Sequence, residues 1–166
     1  MCAVQWCPRS IHAFANVTSR TMSTYSCIVD LMGHKDLGGK VMLNLMDGLY
    51  GGPTEHPVPP VLFQTLGNWW SSSVFASQDA VALDSVAYDF LRNEPAIPYS
   101  RIGCVDNYMH EAAAADKPPS KTVYNPSRTT QLQSLGVHEH WNNAKDRKYT
   151  RNLGTGNGIE MIAVQL

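Results

Sequence analysis

The chain has 166 residues, enough for one domain with a buried core, and its net charge is −1 with no basic block. That balance carries no electrostatic footprint for nucleic acid or an anionic membrane surface, and no apolar run approaches the roughly 18–20 residues of a membrane helix. Apolar residues make up 43% and charged residues only 16%, while ten prolines and twelve glycines imply long ordered loops.

Residues 1–18 show no clear period and none of the basic-then-apolar pattern of a secretion signal. They read as an irregular segment, expected to be a truncation remnant, and residues 19–166 as a single α/β domain. From Thr21 onward, Met22, Tyr25, Ile28, Val29 and Met32 recur at helical spacing, with Gly33 as the stop. Val41 to Met46 is a nearly continuous apolar run closed by Asp47-Gly48, the pattern of a strand buried on both faces and therefore parallel and central. Gly48 to Pro60 is a loop.

Val74-Phe75-Ala76 reads as a second short strand. Asp79 or Ser77 caps the helix that follows, with Val81, Ala82, Val86, Phe90 and Leu91 as its apolar stripe. Asp106 caps a short helix through Glu111 and Ala112 to Ala115, Lys117 to Thr130 is loop, and Ile159 to Val164 alternates weakly as a closing strand. The expected fold is α/β: a small, mostly parallel sheet with flanking helices and long ordered loops at one edge.

Four groups of residues could carry chemistry. The first is the acid set Asp47, Asp79 and Asp84. With parallel neighbouring strands, Asp47 and Asp79 lie near one sheet edge, where carboxylates bind a divalent cation or divide acid and base roles. Each also has a plain structural reading, since Asp-Gly is a common turn pair and Asp79 an ordinary cap. The second is His138-Glu139-His140-Trp141. Histidines at i and i+2 share a face of an extended segment and present two imidazoles to one metal, Glu139 then pointing away. A third ligand must come from His110, His34, His56 or Asp106, and the alternative is a polar loop whose rings bond to backbone. The third is Asp106 to Glu111, where His110 can act as a general base or be structural. The fourth is Asn68-Trp69-Trp70 with its serines. Trp69 and Trp70, with Trp141, can form a stacking platform for a sugar, or act as core lids. No G-x-S-x-G elbow is present, and Gly154 to Gly158 precedes a strand pattern rather than a helix, which argues against a dinucleotide fingerprint.

Cys2, Cys7, Cys27 and Cys104 form no C-x-x-C pair, so a self-contained iron–sulfur cluster has little support from spacing. Cys27 falls in an apolar helical pattern and reads as a small core residue. Asn16-Val17-Thr18 fits a glycosylation sequon.

The segments Leu43 to Pro53 (LNLMDGLYGGP) and Ser77 to Val86 (SQDAVALDSV) resemble the domain of unknown function 362 family. That family shows a strand ending in Asp, a Gly-Gly-Pro loop and a Ser-x-Asp-Pro-Val-Ala-x-Asp segment; here Ala80 stands where the proline is usual. Asn107 to Ala113, Ser134 to Asn143 and Tyr149 to Gly154 resemble one subgroup with a His-Glu-His-Trp tail. The resemblance spans about residues 11 to 162. It implies a bacterial protein, exported in full-length form, of which this chain is the C-terminal part. Fusions of relatives to ferredoxin modules imply redox chemistry, and loss of an N-terminal half implies exposed apolar surface that promotes a homo-oligomer.

Three functions follow as expectations. The first is a metal-assisted hydrolase of a small-molecule or carbohydrate substrate, with Zn or Mg held by His138 and His140 or by Asp47, Asp79 and Asp84, and with Asp47, Asp79, His110 and Glu139 as candidate catalytic groups. The second is a redox or redox-partner domain. The third is a non-catalytic glycan-binding module built on Trp69, Trp70 and Trp141.

Overall fold

The computed structural model describes residues 21–53, 59–97 and 106–165. Helix α1 spans Cys27–Gly33, strand β1 Asn44–Gly48, strand β2 Ser73–Ser77, helix α2 Ala80–Arg92, helix α3 Asn107–Ala113 and helix α4 Thr150–Leu153. None of these helices is long and apolar enough to cross a membrane.

The sheet corrects the expected fold class. Among the described residues it has two strands, and they are antiparallel: Asn44 pairs with Ser77, Met46 with Phe75 and Gly48 with Ser73. A parallel pair needs a crossover that carries the chain across the sheet, usually on a helix. The described part of the connection instead doubles back through antiparallel bridges, Gly51 to Val61 and Phe63 to Trp69, around one 3-10 turn at Gln64–Leu66. The run Val41 to Met46 is therefore not buried on both faces. Asn44 and Met46 point inward, whereas Met42 and Leu45 are 84% and 60% exposed.

The expected closing strand is also absent from the described residues. The Met161 N–H donates to Asn152 Oδ1 and the Met161 carbonyl accepts from Asn152 Nδ2, both at 3.0 Å, so a side-chain amide takes the bonds a neighbouring strand would have taken. Glu139 takes the Ile159 N–H in the same way. The tail is pinned by side chains, and Ile162 and Val164 stay exposed.

Helix α2 organises the molecule. Asp79 Oδ1 accepts from the Ala82 N–H at 2.9 Å as its cap. The buried surface is far wider than the expected stripe and runs unbroken from Leu83 to Asp89, because three groups surround the helix. Val81 and Tyr88 join Val29, Phe63, Tyr108, Met109 and Tyr124 in the main core with α1 and α3. Leu83 and Ala87 pack under Met46 and Phe75 of the sheet. Val86 meets Trp141, Tyr149 and Ile159 from the C-terminal segments. Three polar residues of α2 are buried: Asp84, which accepts from Tyr108 of α3, and Ser85 and Asp89. Buried polar groups need partners, and those of Ser85 and Asp89 come from the segment that holds the paired histidines.

Candidate metal centre

Residues 137–141 lie along α2 in the same direction as the helix. The Val137 N–H donates to Asp79 Oδ2 at 2.8 Å, the His138 ring meets Ser85, the His140 ring meets Asp89, and the Trp141 N–H donates to Asp89 Oδ2 at 2.9 Å. The lengths agree. Ten helical residues from Asp79 to Asp89 rise about 15 Å, and four extended residues from Val137 to Trp141 span about 13 Å. Locally, Ser85 and Asp89 stand one helical turn apart, about 6 Å, and two extended residues also span about 6.6 Å. The i, i+4 pair on the helix thus meets the i, i+2 histidine pair rung for rung.

The hydrogen bonds assign the ring protons. Ser85 has one hydroxyl proton and directs it to the Val81 carbonyl at 2.7 Å, so its oxygen accepts from His138 Nδ1–H at 2.8 Å. The Asp89 carboxylate accepts from His140 Nδ1–H at 2.7 Å, and also from the Tyr149 hydroxyl at 3.0 Å. In the neutral form of each ring, Nε2 keeps its lone pair. Burial, and then the neighbouring His110 and His140, push His138 down to about 3, so its ring is neutral at physiological pH. The Asp89 hydrogen bond raises His140, while burial lowers His110.

The third imidazole comes from α3. His110 Nε2 lies 3.3 Å from His138 Nε2, and the two rings meet edge to face, as do those of His138 and His140. One ring nitrogen from each of His110, His138 and His140 lies within 4.8 Å of the other two, close enough for one metal ion. Two nitrogens bound at about 2.0–2.1 Å to one tetrahedral zinc stand about 3.3–3.4 Å apart, which is the His110–His138 separation. Ligands whose Nδ1–H is held by a carboxylate or hydroxyl are the usual arrangement around a bound metal, because the outer bond fixes the ring and raises its basicity.

The acid set does not gather there. Asp47 is exposed at the far end of β1, opposite Val74, and accepts from the Leu49 N–H in a turn. The antiparallel register places it opposite Val74, five residues before Asp79 and roughly 16 Å away along the chain direction, which corrects the expectation of a shared edge. Asp79 anchors Val137 as well as capping α2. Asp84 is buried between α2 and α3 and accepts from the Tyr108 hydroxyl. Glu139 points away from the histidines and ties α4 and the tail down, accepting from Thr150 N, Thr150 Oγ1 and Ile159 N at 3.2, 2.8 and 2.5 Å.

Trp141 is a core residue, 9% exposed and edge-on to Phe90 at 5.1 Å. Trp69 is exposed, and Trp70 packs edge-on against Tyr50. A groove of about 400 Å³ between β2 and the C-terminal tail is lined by Phe75, Val86, Arg151 and Glu160; it reaches Val137 but none of the three histidines. His34 accepts from the Asp36 N–H in a turn. Cys27 is half-buried in α1; Cys2, Cys7, Cys104, His56 and the Asn16 sequon lie outside the described residues.

Asp89 and Ser85, which hold the His140 and His138 rings, are the site residues that the sequence did not point to. The available signal was a polar i, i+4 pair inside the apolar face of α2, matched by a polar i, i+2 pair elsewhere. Comparison with protein-family models, curated proteins and solved structures finds no match to this chain.

Proposed function

We propose that His110, His138 and His140 hold a single zinc ion and that the protein is a metal-dependent hydrolase. The observation that carries this reading is the convergence of three ring nitrogens within 4.8 Å, two of them on rings whose other nitrogen is already tied to Ser85 or Asp89. Nitrogen donors favour zinc over magnesium, which takes oxygen ligands. Three protein ligands leave a fourth position for water, the pattern of catalytic rather than structural zinc sites.

When bound, the metal would lower the pKa of a water and polarise a substrate oxygen. The chain's own contribution is to fix the ligands. Ser85 sets the tautomer of His138, Asp89 that of His140, and the shared core of Tyr108 and Met109 on α3 with Val81 and Tyr88 on α2 holds α3, and so His110, opposite them.

Metal analysis of the purified protein tests the reading first. One zinc per chain, lost in His138→Ala, is the expected result. A panel of ester, amide, glycoside and phosphate substrates then tests hydrolysis, with turnover abolished by a chelator and restored by zinc. A protein that takes up no zinc, or that turns over a substrate equally well after chelation, overturns the proposal.

A further inference from the structure

Beside the three histidines, the Asp106 carboxylate has the His110 ring as its side-chain contact among the described residues. Asp106 immediately precedes α3, and its backbone carbonyl receives the Met109 and His110 N–H groups at 3.0 and 3.1 Å. Its side chain makes no cap bond, although the residue is only 9% exposed. Oδ2 lies 3.8 Å from His110 Nε2, the nitrogen that faces His138.

The distance separates two roles. An oxygen bound to the same tetrahedral zinc would stand about 3.3 Å from a nitrogen ligand, closer than the observed 3.8 Å. A water in the fourth position would occupy that 3.3 Å shell, with a hydrogen-bond acceptor just beyond it. The other acids near the histidines are engaged elsewhere: Asp89 accepts from His140, Trp141 and Tyr149, and Glu111 from Ser120 and Tyr124. The neighbouring cation, Arg92, lies over the Tyr88 ring at 5.8 Å.

We propose that Asp106 is a positioning residue whose carboxylate faces the fourth coordination position and accepts a hydrogen bond from whatever donor occupies it. This rests on the metal-centre reading above and narrows its substrate class. A fixed negative charge beside the open position disfavours anionic ligands and favours neutral groups with an N–H or O–H. The substrate is then an amide or a glycoside rather than a phosphate ester.

The test uses the full chain loaded with Co²⁺, whose visible spectrum reports coordination number, and azide as a small anionic probe of the open position. Wild type, Asp106→Asn and Asp106→Ala are compared with His138→Ala. Both Asp106 variants should load one Co²⁺ per chain with the wild-type spectrum. Both should bind azide about tenfold more tightly, the effect of removing one charge at close range in a partly solvated site. Unchanged azide affinity with full loading would overturn the positioning role and leave the metal centre intact. Loss of loading as severe as in His138→Ala, or a changed coordination band, would make Asp106 a direct ligand instead. A wild-type protein that takes up no Co²⁺ removes the centre itself, and the role of Asp106 with it.

Discussion

Asp89 and His140 are joined by a 2.7 Å hydrogen bond between a carboxylate that is 2% exposed and a ring at the protein surface. The bond runs from the core of α2 to the candidate metal centre, and the same carboxylate receives the Trp141 N–H and the Tyr149 hydroxyl. One side chain therefore ties the core of α2 to the His140 ring.

Replacing it tests both ends of this tie. Asp89→Asn keeps the shape but puts an amide N–H₂ where an acceptor is needed, leaving at least one buried donor unpaired. The expected loss of stability is about 2–4 kcal/mol, read from urea unfolding of the metal-free protein. Zinc affinity should fall by about 10- to 100-fold, because His140 loses the partner that orients it. Competition with a chromophoric chelator measures this. Unchanged zinc affinity in a folded variant would show that the bond serves folding alone.

Most of the helical content was legible in the sequence. Asp79 caps α2 as its position before the apolar stripe predicts; the short helix after Asp106 forms but stops at Ala113 without a cap bond from Asp106, and α1 begins at Cys27 rather than near Thr21. The i, i+2 histidines share a face, as extended spacing requires. The sheet was not legible, because an apolar run such as Val41 to Met46 looks the same whether both faces are covered or only one. Covering depends on the path of the connection, and antiparallel bridges at Gly51 and Phe63 leave no local signature. His110 stood among four candidate third ligands, and only the packing of α3 on α2 distinguishes it. Asp89 was hidden because a polar residue on an apolar stripe reads as exposed until its three donors are known.

Gly136 precedes the histidine segment where it meets the N-terminus of α2. Its φ is +157°, and a β-carbon there would overlap the carboxylate of Asp79, which accepts the next N–H in the chain. Gly136→Ala must push residues 136–138 off the α2 cap. The expected result is a stability loss of about 1–3 kcal/mol together with weaker zinc binding, since His138 moves with the segment. Gly158→Ala is the control. Its β-carbon would strike Glu139 and Thr150 in the tail anchor, so it should lower the melting temperature with a smaller effect on zinc. Equal effects of the two substitutions on zinc affinity would contradict this division of labour.

Acid sensitivity should arise partly at a site remote from the histidines. Glu94 is 1% exposed and accepts from Gln64 N, Thr65 N, Thr65 Oγ1 and Ala96 N at 2.8–3.1 Å, clamping the 3-10 turn to the end of α2. Burial alone would raise its carboxyl, but the hydrogen bonds from Ala96, Thr65 and Gln64 outweigh it and hold Glu94 below its ordinary value. A carboxyl lowered by folding stabilises the native state above its unfolded value, about pH 4.3, and loses that contribution as pH falls through the folded value. Glu94→Gln should therefore destabilise the metal-free protein at pH 7, with a gap from wild type that narrows steadily below about pH 4.3. Urea unfolding midpoints of both proteins across pH 3 to 7 give the comparison directly, and the histidines, common to both chains, cancel in the difference. A gap that stays constant with pH would mean that the neutral acid serves the clamp as well as the carboxylate does.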